Sequence, residues 1–149
     1  LLIRYGGVVS GSAALRYFLP RAVWEPNDLD IYIPEAQFED FVLAVTDRKR
    51  LDFTLFPRHG PWTLLESRGT TTSVGPPPTA SVEGHVGIRE VRKFYTPRDR
   101  RVDIISVPSH NPVTALKGFW SSLVTNFLRP DMAACGSPRT TLEGVGILK

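Results

Sequence analysis

Apolar and polar positions alternate between two periods along this chain, and the switches between them mark its elements. Residues 5–9 end in Val8-Val9 and meet Ser10-Gly11-Ser12, after which Leu15, Phe18 and Leu19 fall three and four apart. That pattern predicts a strand, a tight turn and a helix over residues 12–19, which Pro20 ends. A second strand is predicted over residues 28–33, between Pro26-Asn27 and Pro34. Its period of two places Leu29, Ile31 and Ile33 on one face and Asp28, Asp30 and Tyr32 on the other.

Pro34 suits the first position of a new helix, with Glu35 in its first turn. Phe38, Phe41, Val42 and Val45 form its apolar stripe, and Asp47-Arg48-Lys49-Arg50 closes it in solvent. Residues 51–56 read as a further strand, and 62–65 as a short element whose type the pattern leaves open. Residues 67–84 are rich in Thr, Ser, Gly and Pro, including Pro76-Pro77-Pro78, and bury too little apolar area for a core. We read them as a flexible loop, not a domain boundary, because globular patterning resumes on both sides.

Residues 87–95 and 101–107 read as two strands of a hairpin turning through 96–100. Asn111 is a good helix cap and Pro112 a good first helical residue. Val113, Leu116, Trp120, Leu123, Val124 and Phe127 then predict one amphipathic helix ending before Pro130. Residues 131–149 are sparse and read as the start of something cut off, and no internal repeat is visible. The expected fold class is α/β (α+β), a small mixed β-sheet flanked by helices.

Composition narrows this little. At 149 residues the chain suffices for one domain, residues 1–149, and its 42% hydrophobic and 22% charged content is that of a globular protein. The opening on Leu1, with apolar Leu2 behind it, reads as a fragment or processed product. Apolar runs such as Phe41-Val42-Leu43-Ala44-Val45 are too short to cross a bilayer, and no signal peptide is visible, so no membrane partner is expected. The lone Cys135 excludes an internal disulfide and a cysteine-built zinc site, and a reducing compartment, cytoplasm or nucleus, fits best. A net charge of +3 permits an anionic substrate without announcing nucleic-acid binding.

The chemistry concentrates at two places. Asp28 and Asp30 lie two apart on a strand, so both carboxylates project from one face, the geometry for holding a hard divalent cation through oxygen ligands. An Asp-x-Asp pair in a loop would be ordinary turn chemistry, but here the opposite face is Leu-Ile-Ile. Asp103 interrupts another apolar strand, Val102-Asp103-Ile104-Ile105, where a lone carboxylate is costly unless paired or bound to metal. Three carboxylates on neighbouring strands suit two metal ions; the competing role for Asp103 is a salt bridge to Arg100 or Arg101. Gly11-Ser12 opens a helix whose unpaired N–H groups favour a phosphate, with a plain serine cap as the competing role.

Strand, Gly-Ser, helix and then a strand-borne Asp-x-Asp resembles the nucleotidyltransferase superfamily related to DNA polymerase β. The resemblance spans residues 8–107 and extends more narrowly to uncharacterised nucleotidyltransferase-like proteins of fungi. It implies metal-dependent transfer of a nucleoside monophosphate from an NTP to an acceptor, whether small molecule, protein or RNA. It assigns the β- and γ-phosphates to Gly11 and Ser12 and Mg²⁺ (or Mn²⁺) to Asp28, Asp30 and Asp103, the last also helping to activate the attacking hydroxyl. The chain departs from the family in three ways. Fifteen residues (13–27) separate Ser12 from Asp28, more than is usual. The helix before the first strand is missing or truncated, and the acceptor-holding helical region is mostly absent beyond Leu128. A catalytically inactive, nucleotide- or protein-binding member of the same fold is therefore the alternative.

A dinucleotide-binding domain is less well supported, because Gly6 and Gly7 precede the strand and no Gly-x-Gly-x-x-Gly exists. His59, His85 and His110 read as loop or surface residues. Arg89, Arg92, Lys93, Arg98, Arg100 and Arg101 gather along the hairpin, as a solvated face or as contacts to a triphosphate or nucleic acid. Trp24 and Trp62 are candidates for a nucleobase pocket or simple rim aromatics, and Trp120 reads as core.

Overall fold

The computed structural model describes residues 1–59, 87–119 and 121–148. The flexible loop expected at 67–84, the element at 62–65, and Trp62, His85 and Trp120 lie outside them. Strand β1 (Val8–Ser10) runs into helix α1 (Gly11–Phe18), and β2 (Asp28–Pro34) runs into α2 (Glu35–Thr46). The hairpin β3 (Glu90–Tyr95) and β4 (Arg101–Val107) follows, then two 3₁₀ segments, Pro112–Gly118 and Ser122–Val124. Strands β5 (Phe127–Arg129) and β6 (Met132–Ala134) and the short helix α3 (Pro138–Leu142) complete the described elements.

The six strands form one mixed sheet in the order β3-β4-β2-β1-β5-β6. β2 and β4 pair in parallel, and the other neighbours are antiparallel. The fold class is thus α+β with a mixed sheet, as the alternation of periods predicts. Both faces of the sheet are covered, which explains why β2 beyond Asp30 and β4 beyond Asp103 carry buried residues on both sides. On one face Ile31, Ile33, Val102 and Ile104 pack with Phe94 against Phe38, Phe41 and Val45 of α2, and Tyr5 meets Phe41 edge-on at 5.6 Å. On the other, Val8, Tyr32, Ile105 and Val107 pack under Ala115 and Leu116, with Phe119 edge-on to Tyr32 at 5.9 Å.

Several expectations are corrected. The single helix predicted from Val113 to Phe127 is instead two 3₁₀ segments and strand β5. Asn111 caps the first as predicted, its Oδ1 accepting from Val113 N at 3.1 Å. Phe119 then takes an extended conformation, and Phe127–Arg129 pairs with the edge that β1 leaves open. Tertiary pairing overrides the helical spacing there. In 51–56 only Thr54 bridges, to Tyr95, because Asp52 at φ +53° breaks the run. The buried residues of α1 are Gly11 and Ala14, while Leu15, Phe18 and Leu19 are half-buried. Residues 131–148 contribute β6 and α3. Among the described residues no helix is long and apolar enough to cross a membrane.

Candidate metal and phosphate site

The register of the sheet assembles the site. Asp30 stands opposite Ser10 on β1 and opposite Asp103 on β4, and Asp103 stands opposite Lys93 on β3. One row across four strands therefore reads Ser10, Asp30, Asp103, Lys93. Two pairs along, on the same face, a row reads Asp28, Arg101, Tyr95. Side chains in one row of a sheet share a face, and carboxylate oxygens of Asp28, Asp30 and Asp103 lie within 4.8 Å of one another. Asp103 is buried, while Asp28 and Asp30 are half-buried.

Negative charges this close raise each other's affinity for a proton or a cation. Burial, then the neighbouring Asp28 and Asp103, push the Asp30 carboxyl up to about 6, against a partial opposing effect of Arg101. Burial, then the neighbouring Asp30 and Asp103, also push the Tyr32 hydroxyl far above its ordinary range, so it stays protonated.

The Gly-Ser turn adjoins these acids. Gly11 has φ +67°, and a Cβ on it would stand 2.0 Å from Asp30 Oδ2. Only glycine therefore fits between the helix start and the carboxylate. No side chain caps α1, and its first turn holds no acid. Ser10, the residue at the cap, donates its Oγ instead to the carbonyls of Asn126 at 2.6 Å and Val124 at 3.3 Å. The N–H groups of the first turn are thus left without a side-chain acceptor, as an anion site requires. Ser12 Oγ is out of solvent and has no hydrogen-bond partner among the described residues. Rotation about χ1 would let a bound anion satisfy it.

Asp103 also makes the salt bridge weighed from sequence. Arg101 Nε donates to Asp103 Oδ1 at 2.8 Å, Nη2 donates to Oδ2, and Nη2 lies 3.6 Å from Asp28 Oδ2. The salt bridge and the placement beside Asp28 and Asp30 thus coincide at Asp103. A stand-in cation within the triad, a donor set made only of carboxylate oxygens and an orphaned serine hydroxyl fit a hard divalent ion carrying phosphates.

The other candidates lie elsewhere. Arg92 is on the opposite face, paired with Glu39 and Glu90 over the Phe38 ring. Arg89 pairs with Glu35 at 3.6 Å. Arg98 and Arg100 are exposed in the hairpin turn, and His110 and Trp24 are exposed. His59 is a surface loop residue, its Nδ1 3.0 Å from Asp99 Oδ2. A cavity of about 330 Å³ lined in part by Leu116, Lys117, Phe127 and Cys135 includes none of the triad. Sequence reasoning missed that Lys93 and Tyr95 share the face of the acids. The signal was present: the turn 96–100 sets Lys93 against Asp103 and Tyr95 against Arg101. No family model matches the chain, and neither a curated protein nor a solved structure matches it.

Proposed function

We propose that this domain is a metal-dependent nucleotidyltransferase that moves a nucleoside monophosphate from an NTP to an acceptor hydroxyl or phosphate. The observation that carries the reading is the meeting of three carboxylates beside a glycine-only turn at the uncapped start of α1. Asp28, Asp30 and Asp103 would hold Mg²⁺ or Mn²⁺. When bound, such an ion supplies charge neutralisation and polarisation of phosphoryl oxygens. The N–H groups that follow Gly11, with the Ser12 hydroxyl, orient the β- and γ-phosphates by hydrogen bonds aligned with the helix dipole. Asp103, buried between β2 and β3, offers the carboxylate nearest the open edge of the hairpin and is the group to orient an incoming hydroxyl.

Calorimetry tests this directly. Wild type should bind an NTP only with Mg²⁺ or Mn²⁺ present, and the Asp28→Asn/Asp30→Asn double variant, folded by circular dichroism, should not. Equal binding by the two proteins would defeat the proposal. One observation favours a second reading, a catalytically silent nucleotide- or protein-binding member: Arg101 already bridges two of the three acids. Transfer of label from α-labelled NTPs to any cellular acceptor would exclude it.

A further inference from the structure

We infer that Arg101 is an exchangeable internal cation of this site, yielding the carboxylates to a divalent ion and then binding the phosphates that the ion brings. The inference rests on the reading of Asp28, Asp30 and Asp103 as a metal site. Three carboxylates within 4.8 Å repel one another, and a single guanidinium offsets that repulsion unequally. Its planar fork takes both oxygens of Asp103. Asp28 is reached only at 3.6 Å, beyond hydrogen-bond range. Asp30 accepts no hydrogen bond among the described residues. A small divalent ion can contact oxygens of all three at once, which a planar fork cannot. The ion therefore has the advantage on the acids, and the arginine becomes the displaced partner.

Arg101 is built to leave. It is the first residue of β4, and its side chain is 40% exposed while that of Asp103 is only 10% exposed. Its chain neighbours are exposed Arg100 and Val102, which turns to the opposite face, and Arg101 itself belongs to neither hydrophobic core cluster. In register beside it are Tyr95 and, two pairs further along β3, Lys93, which is exposed and makes no ion pair among the described residues. A displaced Arg101 thus joins Lys93 on the open side of the triad, across from the Gly-Ser turn. Two cations there and a helix N-terminus opposite bracket a polyphosphate, the ligand class the site would take.

The test uses the intact chain with Mn²⁺ alone and then Mn²⁺ with ATP, in wild type, Arg101→Ala and Arg101→Gln. Removing the competing cation should tighten Mn²⁺ binding roughly tenfold, the scale of one charge-assisted hydrogen-bonded pair. The same variants should bind Mn²⁺-ATP roughly tenfold more weakly than wild type. Unchanged or weaker Mn²⁺ binding in folded variants overturns the inference while leaving the metal-site reading intact. If no protein binds Mn²⁺, both fail together. Should the variants not fold, wild type still decides. The Arg101 Nε–H resonance should lose its hydrogen-bonded shift on addition of Mg²⁺, and a resonance that stays put overturns the exchange.

Discussion

A carboxylate oxygen of Asp30 sits 2.0 Å from where a side chain on Gly11 would begin, so the acid and the turn occupy each other's space. The closeness couples the helix start to the acidic cluster. It also makes Gly11→Ala a two-part perturbation. The left-handed φ of +67° costs about 1–2 kcal/mol with a Cβ, and the contact forces the Asp30 carboxylate aside. Gly144 separates the two effects, because it has φ +70° with nothing within 4 Å. Both alanine variants should lose about 1–2 kcal/mol or more in urea denaturation, but only Gly11→Ala should weaken Mn²⁺ binding. Equal Mn²⁺ affinity in the two would break the coupling.

The proton affinity of Asp30 gives the fold a pH dependence of definite sign. Its carboxyl is pushed up to about 6 from an ordinary 3.8, first by burial and then by Asp28 and Asp103. Between those values the folded chain binds more protons than the unfolded one. Stability contributed by this group therefore falls as pH rises through that window and is level above it. About two pH units correspond to about 2–3 kcal/mol. In urea titrations with chelator present, wild type should lose stability relative to Asp30→Asn between about pH 4 and pH 7. Parallel pH curves for the two proteins would refute this.

The site was more legible in the sequence than the fold's second half. Strict alternation in β2 sufficed to put Asp28 and Asp30 together, and an acid among Val102, Ile104 and Ile105 announced Asp103. The parallel alignment of β4 beside β2, which closes the triad, depends on pairing over more than seventy residues, and local periodicity carries no record of that. Arg101 was visible as a partner of Asp103 but not as a neighbour of Asp28, for the same reason. Between Val113 and Phe127 the spacing was helical, yet β1 had an unpaired edge. Phe127-Leu128-Arg129 satisfies it, and Ser121 caps a separate 3₁₀ turn by accepting from Leu123 N. Backbone hydrogen bonds to an open edge outweigh a weak helical preference.

Strand β5 and the turn before it matter to the site because they anchor Ser10. Asn126 is fully buried; its Nδ2 donates to Leu123 O at 2.7 Å, and its Oδ1 accepts from Gly136 N at 3.1 Å. Its own carbonyl takes the Ser10 Oγ that would otherwise cap α1. Asn126→Ala should cost about 2–3 kcal/mol, since it removes both side-chain hydrogen bonds of a fully buried amide. Ser10→Ala should cost less, about 1–2 kcal/mol, because each carbonyl it leaves can relax toward other donors. Guanidinium unfolding curves rank the two, and the reverse order would show that Ser10 rather than Asn126 holds this junction.

Arg92 and Lys93 are adjacent in sequence but stand on opposite sides of the sheet, as consecutive residues of β3 must. Arg92 lies 4.8 Å over the Phe38 ring and holds Glu39 and Glu90, and its hydrogen bond to Glu39 keeps that carboxyl below its ordinary range. Such pairs near the surface contribute about 1 kcal/mol or less, so Arg92→Ala should be mildly destabilising and neutral for ligands. Lys93 stands opposite Asp103 on the face of the triad, exposed and with no ion-pair partner among the described residues. An exposed cation meeting a phosphate is worth roughly threefold to fivefold in affinity, so Lys93→Ala should weaken Mn²⁺-ATP by that much without lowering stability. The side of the sheet, rather than the basic character of the hairpin, then decides which cation meets substrate. A calorimetric comparison in which Arg92→Ala loses as much nucleotide affinity as Lys93→Ala would assign the whole hairpin, and not this face, to binding.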